Sequence, residues 1–260
     1  MHKLAKLALA AVVSAAVLGP VSAASATSVA QVGNSSVIAA EGPGHSLIFY
    51  WQTIGGVPWH PEFVAGPGST YSAPSVAQVG NSSVIAAEGP GHTLFFYWQT
   101  IGGVSWHAEL VAGPGSTYSA PSVAQVGNSS VIAAEGPAGS LRFYWQTIGG
   151  VSWHPEVVAG PGTTFLAPSV AQVGTSSVIA AAGPNRALMF YWQTIGGVSW
   201  HPELVAPNGT VFSPPSVKQV GNSSVIAVEG PVNSLRFYWQ TIGGVPWHPE
   251  LVAGLGTTFA

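Results

Sequence analysis

Three observations predict an all-β fold of five four-stranded blades, each 47 residues long. A phrase that begins Ser-Val recurs without insertion or deletion, at Ser28, Ser75, Ser122, Ser169 and Ser216. Every unit divides into four short segments that turn residues separate. Aromatic and β-branched residues, which strands favour, fill the third segment of each unit. Four antiparallel strands in a unit of this length are typical of a propeller blade, so the sequence predicts a five-bladed β-propeller.

The first unit shows the four predicted strands in order. Residues 28–32 form the first strand, and a Gly-Asn pair suited to a tight hairpin separates it from the second strand at 36–41. A Gly-Pro-Gly turn leads to the third strand at 47–54, which has the sequence LIFYWQTI. A Gly-Gly hairpin leads to the fourth strand at 59–65, and the loop at 66–74 connects it to the next unit.

The side chains of the third and fourth strands predict how the blades stack. Successive side chains of a strand point to opposite faces, so Phe49 and Trp51 share one face while Ile48 and Tyr50 share the other. Both faces are apolar, as expected for a sheet packed between two neighbours. Pro61 cannot donate to a strand ladder, which predicts that the fourth strand is the outer edge of the blade.

The uniformity of the repeats predicts a closed ring. Open repeat arrays usually carry atypical end units that face water, whereas the five units here are alike. The ring would close by side-chain packing, with no strand shared between its two ends. Assembly from more than one chain stays open as an alternative. The repeats cover residues 26–72, 73–119, 120–166, 167–213 and 214–260.

The first 26 residues have the composition of a secretory signal peptide. Lys3 and Lys6 precede an apolar run from Leu7 to Leu18, and small residues in small-x-small spacing follow up to Ala26. The run is too short to span a bilayer, and no other segment is comparably apolar. We therefore expect a signal peptide at 1–26, a propeller at 27–260, and a secreted, extracellular protein without a membrane span.

Composition argues against a nucleic-acid partner. Removal of the signal peptide leaves four basic residues against nine glutamates, a formal net charge of −5 (4 − 9). So few cations offer no basic patch for a phosphate backbone, and nucleic-acid binding is not expected.

Cysteine is absent, so apolar packing must stabilise the fold without disulfides.

The acidic residues argue against an enzyme. The chain has no aspartate, and its nine glutamates fall into two columns that recur from repeat to repeat. A glycosidase needs two carboxylates in different environments at one site, whereas recurring columns give several similar places. One outer-strand histidine per blade spreads the imidazoles around a ring, and metal ligands must converge on one centre. We therefore expect no catalytic residues, no metal and no cofactor.

The best candidates for ligand binding lie on the fourth strand of every blade. Trp59 follows the Gly-Gly hairpin, and His60 and Glu62 share the other face of the strand. An aromatic ring can cover the apolar face of a sugar while polar groups hydrogen-bond its hydroxyls. The alternative is that the tryptophan seals a blade interface while His and Glu form a solvated pair. The predicted carbohydrate-binding residues are Trp59, His60, Glu62, Trp106, His107, Glu109, Trp153, His154, Glu156, Trp200, His201, Glu203, Trp247, His248 and Glu250.

Other features of the repeat point to the core or to a different function. Trp51 and its copies are expected in the core, and Gln52 and its copies are expected to pair with backbone at a strand end.

The loop between the second and third strands and the loop between blades vary among the copies, whereas the other two turns are nearly constant. The varying loops share one end of each sheet. A structural or protein-binding propeller that uses this rim is therefore the alternative function.

Four parts of the repeat carry a resemblance to a known family. They are a small-Pro entry at Ser72–Pro74, the strand Leu47–Trp51, the Gly-Gly hairpin, and Trp59 with Glu62. In order and spacing they resemble the Trp-rich repeat of secreted bacterial and fungal β-propeller lectins, and more loosely the five-bladed tachylectin type. The resemblance covers all five units. It implies a multivalent lectin that binds single sugar units of glycans between adjacent blades without a cofactor.

Two departures from that family's repeat bear on its sugar pockets. The tip GPGH replaces an Asp- and Gly-rich tip, and Phe-Tyr-Trp replaces a Trp-His pair. Both departures change residues near the family's pockets. From the resemblance as a whole we expect glycans or cell-surface carbohydrate as partners, while the sequence leaves the oligomeric state open.

Overall fold

The computed structural model describes residues 28–244 and 246–258, and the predicted signal peptide at 1–26 lies outside them. The described residues form twenty strands in five antiparallel sheets of four strands each, which confirms the predicted four-stranded units. Sheet 1 contains β1 (Ser28–Val32), β2 (Ser35–Gly42), β3 (Ser46–Thr53) and β4 (His60–Ala65). Sheet 2 contains β5 (Ser75–Val79), β6 (Ser82–Gly89), β7 (Thr93–Thr100) and β8 (His107–Ala112). Sheet 3 contains β9 (Ser122–Val126), β10 (Ser129–Gly136), β11 (Ser140–Thr147) and β12 (His154–Ala159).

The last two sheets repeat the same arrangement. Sheet 4 contains β13 (Ser169–Val173), β14 (Ser176–Ala182), β15 (Leu188–Thr194) and β16 (His201–Ala206). Sheet 5 contains β17 (Ser216–Val220), β18 (Ser223–Gly230), β19 (Ser234–Thr241) and β20 (His248–Ala253). Short 3-10 turns join the second and third strands of the first four sheets, at Pro43–His45, Pro90–His92, Pro137–Gly139 and Pro184–Arg186. Within residues 28–244 and 246–258, no helix is long and apolar enough to cross a membrane.

The predicted turns set the register of the strands. Val32 of β1 pairs with Ser35 of β2, so Gly33-Asn34 is a two-residue hairpin loop. Gly33 has a φ of 54°, in the left-handed region that such a loop requires and that glycine adopts without a steric penalty. The fourth strand lies at the edge of every sheet, which confirms the prediction made from Pro61.

Adjacent sheets pack face to face and bury the core between them. The first strand of each sheet lies beside the first strand of the next, from β1 beside β5 to β13 beside β17. Between sheets 1 and 2, Leu47 and Phe49 pack with Ile85 and Tyr97. All four side chains are buried, and full burial of such a side chain stabilises a fold by roughly 1.5–3 kcal/mol. The predicted two-sided apolar sheets are therefore confirmed.

The two end sheets each leave one face uncovered. Val29 of sheet 1 is 72% exposed, whereas its counterpart Val76 in sheet 2 is 5% exposed. At the other end, Val220 of sheet 5 is 62% exposed, whereas its counterpart Val173 in sheet 4 is 3% exposed. The expected packing of the fifth sheet on the first is therefore not made by the described residues.

Candidate binding clefts between adjacent sheets

Clefts open between adjacent sheets at the end of the molecule that carries the two nearly constant turns. The cleft between sheets 2 and 3 has a volume of about 770 Å³. Its walls include Phe96, Trp98 and Glu109 of sheet 2, and Gln146, Ile148 and Trp153 of sheet 3. The equivalent clefts between sheets 3 and 4 and between sheets 4 and 5 have volumes of about 580 and 410 Å³. The repeat therefore builds one type of cleft several times.

A carboxylate in each cleft links two sheets. Glu109 accepts the indole N–H of Trp98 from its own sheet at 2.8 Å and that of Trp153 from the next sheet at 3.1 Å. The side-chain amide of Gln146, also from the next sheet, lies 3.3 Å from the same carboxylate. Hydrogen bonds to an ionised acceptor are stronger than neutral ones, so this group fixes the relative position of both outer strands. The two indole contacts recur at Glu62, Glu156 and Glu203.

The tryptophan that immediately precedes the outer strand, which the sequence predicted as the first residue of that strand, forms one wall of the cleft. Trp153 of sheet 3 meets Phe96 of sheet 2 edge to face, with ring centroids 5.0 Å apart and planes at 65°. Trp106, Trp200 and Trp247 make the same contact with the preceding sheet. These indoles are half-buried, so part of each ring stays accessible. Trp59 has no sheet before it and is 40% exposed.

The histidine of the outer strand stacks on the tryptophan of the third strand. His107 lies over Trp98 with ring centroids 4.2 Å apart and planes at 20°. The strand register explains the stack, because it places these two residues opposite each other. The imidazole covers one face of the indole and is itself exposed to solvent. The same stack occurs at His60, His154, His201 and His248.

The structure places the predicted site residues of one blade in two different clefts. In sheet 2, Trp106 faces sheet 1 while Glu109 faces sheet 3. The predicted combination therefore forms across blades, where Glu109 of one sheet meets Trp153 of the next. His107 is not part of the cleft wall. It stacks on the ring of Trp98, which is part of that wall.

Sequence reasoning missed several residues that line the clefts. Trp98, expected in the core, does pack against the core between sheets 2 and 3, but it is only half-buried, and it also forms a cleft wall and donates its N–H to the outer-strand carboxylate. Gln146 was expected to pair with backbone, yet its buried side chain contacts Glu109. The Gly149-Gly150 turn and Asn81 also line the cleft. The near identity of these two turns in every copy is the signal that marks this end of the molecule.

The charge of the clefts limits what they can bind. No Arg or Lys lines the three clefts between sheets 2 and 5, whose polar groups are carboxylate, amide and hydroxyl. Aromatic surface beside neutral and anionic hydrogen-bonding groups suits an uncharged, polyhydroxylated molecule.

No protein-family model matches the chain, and no curated protein matches its sequence. Among solved structures, the chain is similar to the lectin BP39L from Burkholderia pseudomallei, with a TM-score of 0.79 and 17% identity over 90% of this chain and 73% of that one. AofleA from Arthrobotrys oligospora gives a TM-score of 0.67 and 13% identity over 88% and 70% of the two chains. The Aleuria aurantia lectin, a six-bladed β-propeller with a novel fucose recognition mode, gives a TM-score of 0.68 and 13% identity over 90% of this chain and 80% of that one. At these identities the likeness is one of fold, and the chain has the β-propeller fold of these lectins.

Proposed function

We propose that the chain is a secreted lectin that binds glycans in the clefts between adjacent blades and catalyses no reaction. One observation carries the proposal: a half-buried tryptophan of one sheet meets a carboxylate of the preceding sheet in cleft after cleft. The similarity in fold to carbohydrate-binding lectins supports it. The proposal includes no cofactor and no metal.

The cleft chemistry favours a neutral sugar. The accessible part of Trp153 offers an apolar surface to sugar C–H groups. A carboxylate has about four lone-pair sites, and the protein donors on Glu109 occupy three, which leaves acceptor capacity for a hydroxyl. A second negative charge would be repelled by Glu109, with no cation in the cleft wall to offset it. We take methyl α-L-fucoside as the first probe because the Aleuria aurantia lectin recognises fucose.

The ring that we propose has five blades, closed by packing of sheet 5 on sheet 1. Closure would bury the exposed Val29 and Val220. It would also add a fifth cleft. Glu250 already accepts the indole N–H of Trp239 at 2.7 Å, and closure would bring Trp59 to the other oxygen of this carboxylate.

Backbone contacts between sheets support the same closure. The N–H of Val76 donates to the hydroxyl oxygen of Ser28 in the preceding sheet at 3.1 Å, and this contact recurs at the three following interfaces. At the open ends, the N–H of Val29 and the hydroxyl of Ser216 are the corresponding groups. A closed ring would present up to five equivalent sites, and weak sites of this kind gain avidity on a surface that displays many sugars.

Secretion is a separate part of the proposal. We propose that residues 1–26 are a cleaved signal peptide and that 27–260 form the propeller of the extracellular protein. Mass determination of the protein recovered outside the cell tests this. A mature chain that begins near Ala24 or Thr27 supports the proposal, whereas recovery of the full-length chain inside the cell contradicts it.

A glycan array probed with the mature chain tests the binding function. We expect binding to a defined set of neutral glycans. The absence of any bound glycan at high protein concentration contradicts the proposal and favours the alternative, a structural or protein-binding propeller that uses its variable rim.

A further inference from the structure

The end of the molecule opposite the clefts carries a row of exposed aromatic side chains. The loops after the first four sheets place one aromatic residue each at this end, and we call these the rim aromatics: Tyr71, Tyr118, Phe165 and Phe212, which are 46%, 45%, 53% and 36% exposed. The N–H of each rim aromatic pairs with a carbonyl at the end of the second strand of the next sheet. Each therefore has a fixed place beside the next blade.

In sheets 1 and 2, a histidine and a glutamate fill the corner beside the rim aromatic. His92 stacks on Tyr118 with ring centroids 4.4 Å apart, and its Nδ1 lies 2.7 Å from the carboxylate of Glu88. His45, Tyr71 and Glu41 repeat this arrangement in sheet 1. Each of these two carboxylates thus has a side-chain partner within the protein.

Sheet 4 changes both residues of this corner. Ala182 stands where the other four copies have glutamate, and Arg186 stands where the first two copies have histidine. Ala182 is buried, and its methyl side chain is much smaller than that of Glu88, which is buried at the same position of sheet 2. The guanidinium carbon of Arg186 lies 4.3 Å from the ring centroid of Phe212. The substitutions therefore remove a carboxylate and add a permanent cation.

The backbone holds Arg186 in position. Its carbonyl accepts the N–H groups of Thr210 and Val211 at 2.9 and 3.0 Å, and the carbonyl of Asn185 accepts the N–H of Gly209 at 2.8 Å. A guanidinium that lies on an aromatic face keeps its in-plane N–H donors available for an anion. Among the described residues, the contacts close enough for an ion pair are the two His–Glu contacts at the corners of sheets 1 and 2, and none of them involves Arg186.

A pocket of about 410 Å³ adjoins this cation. Phe165 and Phe212 belong to its walls, together with Ala182 and Arg186. We propose that this pocket binds a carboxylated sugar, with the carboxylate on Arg186 and the sugar ring against the rim aromatics. The site is independent of the clefts between sheets, because it lies at the opposite end of the blades and differs from them in charge.

The test compares two sugars that differ in charge, methyl β-D-glucuronide and methyl β-D-glucoside, on the mature chain. Nuclear magnetic resonance titration at pH 7 follows the backbone amides around Arg186 and Phe212. We expect the glucuronide to shift these signals saturably and the glucoside to leave them in place. Sodium acetate supplies a carboxylate without the sugar, so displacement of the glucuronide by equal concentrations of acetate overturns the sugar part of the proposal.

Three variants separate this site from a general charge effect. Arg186→Gln removes the cation and should weaken glucuronide binding by about tenfold or more, since hydrogen bonds to charged groups are the strong ones. Ala182→Glu restores the residue of the other copies, fills part of the pocket, and should weaken glucuronide binding at least as much. Because this variant keeps Arg186, its loss of binding cannot result from a folding defect caused by removing the arginine. Lys218→Gln removes a positive charge from sheet 5 and should leave binding unchanged. Binding that is equal in all four proteins, or absent from the unsubstituted chain, overturns the proposal.

Discussion

Glu109 of sheet 2 accepts an indole N–H from Trp153 of sheet 3 at 3.1 Å, so a single carboxylate joins two blades. Its other oxygen accepts the N–H of Trp98 at 2.8 Å. The outer strands of neighbouring blades share no strand pairing, and this bridge is the polar link between them. The residues proposed to bind sugar therefore also hold the blades in register, and the two roles need separate measurements.

Two substitutions of Trp153 separate the bridge from the aromatic wall. Trp153→Phe removes the indole N–H and should lower the free energy of unfolding by about 1–3 kcal/mol, because the half-buried carboxylate of Glu109 loses a charge-assisted hydrogen bond. Trp153→Ala also removes the ring that packs on Phe96 and should cost about 3–5 kcal/mol. Urea unfolding measures both values. Val151→Ala, at a neighbouring residue that is 97% exposed, is the control and should change stability by less than about 0.5 kcal/mol.

Closure of the ring can be tested at Trp59, the copy of Trp153 on the open face of sheet 1. If sheet 5 packs on sheet 1, Trp59→Ala removes the same contacts as Trp153→Ala and should lower the free energy of unfolding by a similar amount. Paired urea unfolding curves make the comparison. A cost for Trp59→Ala below about 0.5 kcal/mol, as expected for a surface substitution, would show that the ring stays open.

Buried tyrosines predict a loss of stability at alkaline pH. Burial raises the pKa of Tyr97, Tyr144, Tyr191 and Tyr238 above the ordinary value of 10.0. Above about pH 10 the unfolded chain releases these protons while the folded chain retains them, so the free energy of unfolding should fall as pH rises. Below about pH 10 these tyrosines are protonated in both the folded and the unfolded chain, so they do not make the free energy of unfolding depend on pH. Urea midpoints from pH 8 to 11.5 measure the slope, and Tyr97→Phe should reduce it; an unchanged slope contradicts this account.

Glu135 predicts a stabilising substitution at neutral pH. Burial raises the pKa of this carboxyl, and the nearby charge of Glu88 raises it further, which together outweigh the opposing influence of the neighbouring Ser119 hydroxyl. The folded chain therefore pays a penalty for the ionised form, which is fully present above the folded pKa and disappears as the carboxyl becomes protonated at acid pH. Glu135→Gln should raise the melting temperature at pH 7 and have a smaller effect near pH 4. A gain that is the same at both pH values would exclude ionisation as its cause.

Much of the fold follows from local sequence, whereas the binding clefts depend on packing between repeats. The Gly-Asn hairpin at Gly33 and the edge strand at Pro61 are predictable because turn geometry and the missing proline N–H act within a few residues. The bridge between Glu109 and Trp153 joins residues 44 positions apart in different sheets. Nothing in a single strand specifies how far one blade is rotated against the next.

The third-strand tryptophan illustrates the same limit. Trp98 shares a face with buried Phe96, and alternation alone therefore predicts that both lie in the core. Trp98 is nearer the end of the strand that carries the Gly-Gly turn, where the sheets separate into a cleft and expose part of the indole. Alternation identifies the face of a side chain but gives no information about the gap in front of it.

A crystal structure of the mature chain soaked with methyl α-L-fucoside, or with the best neutral glycan from an array, tests the central claim most directly. The account predicts a sugar between sheets 2 and 3, with its apolar face on Trp153 and a hydroxyl within hydrogen-bonding distance of Glu109, and equivalent sugars in the other clefts. Clefts that stay empty at saturating ligand, or a neutral glycan bound only at the opposite rim, would contradict it.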